Sequence, residues 1–156
     1  MQEPEASESV FKYDQADDSA GFLLWKITAL WQNQLNQVLG EFGITQTQYA
    51  ILASLAWFGE KYELPTQARL VEHTKIDKMT LSKAIRKLEE SGVVVREDST
   101  QDSRAFSICF TEQGKQLIQK AVVAIENADE AFFSCLSPEQ LEAYKMLTLS
   151  IIKSRS

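Results

Sequence analysis

The chain has 156 residues and a formal charge of −6; 44% of residues are hydrophobic and 24% charged, with 6 Gly and 3 Pro. That length suits one domain, and the composition excludes collagen-like, mucin-like and wholly disordered chains. Apolar runs such as Ile51 to Phe58 are interrupted by Ser54 and bounded by Gln48 and Gly59, far short of the ~20 residues a membrane span needs, so no membrane partner is expected.

The charge is unevenly placed. Within residues 1–18, Glu3, Glu5, Glu8, Asp14, Asp17 and Asp18 are opposed only by Lys12, so −5 of the charge sits there and the rest of the chain is nearly neutral. With Val10, Phe11 and Tyr13 as its only apolar anchors, this stretch reads as a flexible acidic arm. It lacks the basic start and apolar run of a secretory signal, which predicts a cytoplasmic location. Cys109 and Cys135 are too few for a disulfide framework and form no C-x-x-C pair, and His73 is the single histidine. No metal and no cofactor is expected.

From about Ala20, Leu23, Ile27, Leu30, Trp31, Leu35, Val38 and Phe42 recur at spacings of three and four, predicting a first helix that Gly40 or Gly43 ends. Thr45 and Gln48 have capping-box spacing and open a second helix over about Gln46 to Phe58. Gly59 to Leu64 reads as a loop. Pro65 suits the first turn of a short third helix ending near His73. Asp77 caps a fourth helix whose Leu81, Ala84, Ile85 and Leu88 form a buried stripe, closed by a left-handed Gly92.

After Gly92 the period shortens. Val93 to Arg96 and Ala105 to Phe110 predict two strands around a polar tip, Glu97 to Arg104, with Phe106, Ile108 and Phe110 on one side. Thr111 caps a fifth helix running through Phe132 and Phe133. Ser137, Pro138 and Gln140 open a sixth that carries Leu141, Tyr144, Met146, Leu147, Ile151 and Ile152. Helix, three-residue turn, helix, strand, charged tip and strand is the order of a winged helix-turn-helix, so the fold class is mainly α with a small β-hairpin wing.

In that arrangement the second helix of the pair enters the major groove of DNA. From Lys75 to Lys87 the chain carries Lys75, Lys78, Lys83, Arg86 and Lys87 against Asp77 alone, a net +4 within an acidic protein. Subtracting the buried stripe leaves Lys78, Met79, Thr80, Ser82, Lys83, Arg86 and Lys87 as candidate DNA contacts. The cations displace counterions from phosphate, and Thr80 is placed for a base edge or a thymine methyl. Basic residues on an exposed helix are otherwise ordinary solvated surface. No catalytic residues are expected: nothing in the spacing of His73, Cys109 and Asp102 brings them together, and no Gly-rich phosphate loop or paired-carboxylate motif accompanies them, so the chain reads as a non-enzyme.

Four segments carry a resemblance to a known family: Gly43 to Leu52, Leu88 to Arg96, Asp102-Ser-Arg104, and Phe110-Thr-Glu-Gln-Gly114, together with the terminal Leu136 to Leu141. In order and spacing they resemble the MarR (multiple antibiotic resistance regulator) family of bacterial transcription factors. The resemblance implies a single domain over residues 19–156, with a winged helix-turn-helix at 44–111 and dimerisation helices at 19–43 and 112–156. It implies a homodimeric repressor on a pseudo-palindromic site in double-stranded DNA. Arg104 matches the wing-tip arginine that enters the minor groove, and Asp102 the acid that braces it.

The resemblance also brings in release by small aromatic acids. Trp25, Trp31, Tyr49, Trp57 and Phe58 are the candidate ligand residues, although aromatics at helical spacing are more commonly core. An oxidation switch would need a cysteine near the start of the first helix, where none stands, so Cys109 and Cys135 are expected to be passive. The competing reading is a winged helix used as a protein-interaction module without sequence-specific DNA binding, toward which the net charge leans.

Overall fold

A computed structural model describes residues 8–98 and 106–156. The chain divides into two compact units after Asn33. In the first, Ala16–Asp18 forms one turn of 3-10 helix inside the expected arm. The Asp17 carboxylate holds Lys26 at 2.6 Å, and the Lys26 ammonium lies 4.9 Å from the centre of the Phe22 ring. Helix α1, Ala20–Gly40, starts in this unit and ends in the second.

The second unit contains α2 (Gln46–Glu60), α3 (Gln67–Thr74), α4 (Lys78–Glu90), β1 (Val94–Asp98), β2 (Phe106–Phe110), α5 (Glu112–Phe132) and α6 (Pro138–Ser154). Local side-chain chemistry sets most of the helix starts. The Thr45 hydroxyl accepts from the Gln48 N–H at 3.2 Å while the Gln48 side chain accepts from the Thr45 N–H at 2.9 Å. Ser137 and Gln140 repeat the exchange at α6, with Pro138 at its first position. Asp77 caps α4 and Thr111 caps α5, as the sequence predicts.

The start of α3 differs from expectation. Pro65 stands outside the helix and Thr66 is the cap, its side chain accepting from the Arg69 N–H. Pro65 is buried because its carbonyl accepts from the Ile108 N–H at 3.2 Å and Thr66 bridges to Ser107, which puts a short extended segment along the edge of β2. Proline is suited to such an edge, where no N–H is required of it.

The core lies between α2, α3, α4 and the hairpin. Ile51, Leu52, Leu55 and Phe58 meet Leu70, Leu81, Ile85 and Leu88, closed by Val93, Val94, Ile108 and Ile118. All four residues of the expected α4 stripe are buried. The strands pair antiparallel in the register Val94 with Phe110 and Arg96 with Ile108. Phe106, Ile108 and Phe110 share one side by that register but not one environment: Ile108 is buried, Phe110 half-buried and Phe106 exposed, since Phe106 lies farthest from the helices.

The root of the hairpin is tightly tied. Gly92 adopts φ +78, the left-handed conformation expected of it. The Thr111 hydroxyl donates to the Gly92 carbonyl at 2.6 Å and accepts from the Gly114 N–H at 3.1 Å. A Cβ on Gly114 would stand 1.9 Å from the Val93 carbonyl oxygen, so only glycine permits this approach of α5 to the strand. By contrast α6 has no buried residue, and Met146, Leu147, Leu149, Ile151 and Ile152 are exposed on it. Among the described residues no helix is long and apolar enough to cross a membrane.

Candidate nucleic-acid interface

The outer face of α4 is set by what its inner face buries. With Leu81, Ala84, Ile85 and Leu88 turned inward, Lys78, Met79, Thr80, Lys83, Arg86 and Lys87 are exposed and Ser82 is half-buried. Two shallow grooves flank Lys83. One, of about 420 Å³, is lined by Thr80, Lys83, Arg86 and Lys87 together with Thr45, Thr47 and Gln48 from the start of α2. The other, of about 360 Å³, is lined by Lys78, Met79, Ser82, Lys83 and Arg86. The structure therefore brings all seven candidate contacts of this helix to one surface. Among the described residues, none of its four cations forms an ion pair with a carboxylate.

At the N-terminal end of that surface, one Asp77 carboxylate oxygen accepts the Thr80 backbone N–H at 2.9 Å and the other accepts the Thr80 hydroxyl at 2.6 Å. These bonds, the side-chain one foremost, hold the Asp77 carboxyl below the ordinary aspartate range, so it is ionised at neutral pH. The turn ahead of it contains Lys75 at φ +62, a left-handed conformation on a residue with a Cβ.

Sequence reasoning missed the link between wing and helix. Arg96 on β1 donates from Nε to the Glu89 carboxylate of α4 at 2.5 Å, with about a third of each side chain exposed. Position counting offers no sign of it, because the pair spans the turn from helix to strand. Asp102 and Arg104 lie outside the described residues.

The five aromatic candidates are not one set of like surroundings. Phe58 is a core residue, with its ring centre 5.1 Å from that of His73 and the Arg69 guanidinium 4.8 Å away. Tyr49 is half-buried, and burial, with the negative charges of Asp129 and Glu126, pushes its hydroxyl up to about 12. Trp57 is exposed beside Lys61. In the first unit, Trp25 is exposed and Trp31 half-buried. Cys109 lies opposite Val95 in the hairpin and diagonal to Glu97; burial, then the Glu97 hydrogen bond and charge, raise its thiol pKa. Cys135 is exposed and unbonded to sulfur.

Comparison with known proteins agrees with this geometry. A family described as the ArnR1-like winged-helix domain matches residues 40–128. The uncharacterized HTH-type transcriptional regulator YdcH of Bacillus subtilis is 32% identical over 123 residues, covering 79% of this chain and 84% of that protein. The HTH-type transcriptional repressor Rv2887 of Mycobacterium tuberculosis is 27% identical over 136 residues, 85% of this chain and 94% of that one. Among solved structures, a mutant of Escherichia coli MarR complexed with operator DNA matches with a TM-score of 0.75 at 18% identity, covering 84% of this chain and 91% of the other. The chain belongs to the ArnR1-like winged-helix family, is related to helix-turn-helix transcriptional regulators, and shares its fold with MarR-family structures.

Proposed function

We propose that this chain is a sequence-specific transcriptional repressor that binds a pseudo-palindromic operator in duplex DNA as a homodimer, in the cytoplasm and without catalysing a reaction. The observation that carries the reading is the division of α4: its apolar stripe is wholly buried while Lys78, Lys83, Arg86 and Lys87 stand exposed on the outside, without a carboxylate partner among the described residues. A helix so divided fits the major groove, where Lys and Arg neutralise phosphate and Arg pairs with a guanine edge. In this reading Met79, Thr80 and Ser82 reach base edges, and Arg104, braced by Asp102, enters the minor groove from the wing.

Residues 44–111 form the DNA-binding part, and residues 19–43 and 112–156 hold the dimer. Support for the latter comes from the exposed Met146, Leu147, Ile151 and Ile152 on α6 and Leu23, Leu24 and Leu30 on α1, apolar surface that a second copy would remove from water. Relief by a small aromatic acid rests on the exposed indoles of Trp25 and Trp57. If salicylate changes neither tryptophan emission nor DNA release, that element fails.

The test of the main reading is selection from a random duplex pool at fixed moderate salt, with the Arg86→Glu variant in parallel. The expected result is an enriched inverted repeat with half-sites about one helical turn apart. The variant should lose the enrichment while sedimenting as the same dimer. Equal, sequence-blind binding by both proteins would refute the proposal and favour a protein-interaction module.

A further inference from the structure

Resting on that DNA-binding reading, we infer that Asp77 and Thr80 act as a specificity determinant that selects a base bearing an exocyclic amino group, cytosine or adenine, and rejects the carbonyl edges of guanine and thymine at one position of each half-site. Thr80 is the third residue of α4, exposed at the end of a recognition helix that meets base edges. A threonine hydroxyl has one proton to give, and here it is already given: the Thr80 side chain donates to Asp77 at 2.6 Å. What remains on the Thr80 oxygen is lone pairs, and the ionised carboxylate beside it is likewise acceptor-only.

Two adjacent acceptors on this turn face a groove in which guanine offers acceptors at its carbonyl and ring nitrogen, thymine a carbonyl, and cytosine and adenine an amino donor. Acceptor against acceptor leaves two desolvated oxygens unpaired, whereas an amino group pairs with the Thr80 oxygen. Thr80 is the contact and Asp77 the positioning residue, acting through the proton it withholds. The nearby Lys78 and Lys83 are donors on separate flexible stems, so their preference is expressed at other positions.

The experiment repeats the duplex selection with the full chain, Thr80→Val and Asp77→Asn, and measures the salt dependence of binding for each. The wild type is expected to favour cytosine or adenine at one half-site position by roughly threefold to tenfold, the worth of one hydrogen bond. Thr80→Val should flatten that position alone and leave the salt slope unchanged, which a general loss of folding would not do. In Asp77→Asn the amide oxygen still caps the helix, but the amide N–H donates to the Thr80 oxygen and frees the hydroxyl proton. Guanine or thymine should then enter at the same position. If both variants select the wild-type motif, or if the position that flattens prefers guanine or thymine, the inference is overturned while the regulator reading stands. If the wild type selects nothing, both fall together.

Discussion

Lys75 closes α3 in a left-handed conformation, φ +62, ψ +15, where helix caps ordinarily use glycine. Its Cβ crowds the backbone there at a cost of about 1–2 kcal/mol. Lys75→Gly removes that cost but adds roughly 0.5–1 kcal/mol of unfolded-chain freedom, leaving a net gain of about 1 kcal/mol and a rise in Tm of about 3 °C for a chain of this size. Lys75→Ala keeps the Cβ and gains nothing. Since both variants lose the same charge, their DNA-binding salt slopes should be equal, and lower than the wild type's by about one unit if the lysine neutralises a phosphate. The assay is thermal unfolding of the three proteins at matched concentration, followed by binding titrations over a range of salt. A glycine variant no more stable than the alanine variant would refute the strain argument. Unequal slopes would show that backbone geometry, not charge, governs this turn's part in binding.

Gly114→Ala should cost on the order of 3 kcal/mol, because its Cβ would be driven onto the Val93 carbonyl; an unchanged denaturant midpoint would refute that. For Arg96 and Glu89, Arg96→Gln and Glu89→Gln should each destabilise, and the double variant should lose about 1 kcal/mol less than the sum of the singles, as a double-mutant cycle would show. Tyr49, held near 12 in the fold against its ordinary 10, binds a proton that the unfolded chain releases earlier. Stability should therefore fall as pH rises from 10 to 12, and Tyr49→Phe should flatten that limb in alkaline unfolding. Iodoacetamide should label the exposed Cys135 before Cys109, whose raised pKa leaves less thiolate at a given pH; mass spectrometry of partially labelled protein gives the order.

What could be read from the sequence was what is local along it. Thr45 with Gln48 and Ser137 with Gln140 lie three residues apart and Asp77 stands just ahead of the α4 stripe, and these caps form where the sequence places them. The α4 stripe was legible for the same reason, because one helical period determines which side is buried. Pro65 was misplaced because what decides its setting, the Ile108 N–H, comes from the far strand of the hairpin. That Phe58 packs with Leu70 and Ile85 was not legible, because both come from helices later in the chain. The left-handed Lys75 gives no residue-type signal at all, since glycine or asparagine would have been the clue. The candidate DNA surface was legible as charge; the direction of the Thr80 hydroxyl, which turns charge into base preference, required atomic positions.

The knot at Gly92, Thr111 and Gly114 also has a mechanical meaning. It leaves no soft joint between the end of α4 and the start of α5, so the two behave as a stiff lever with the DNA-reading surface on its short arm. With its 21 residues, α5 is a long arm of roughly 30 Å, and a rotation of only about 5° about the knot displaces its far end by about 3 Å. In the dimer proposed above, if it is gripped through α6, the gearing runs the other way: a displacement of that size where the subunits meet becomes a small, shared change in the angle and separation of the two α4 helices. DNA affinity could then be tuned by the fit of two helices to successive turns of the duplex, with neither reading surface altered.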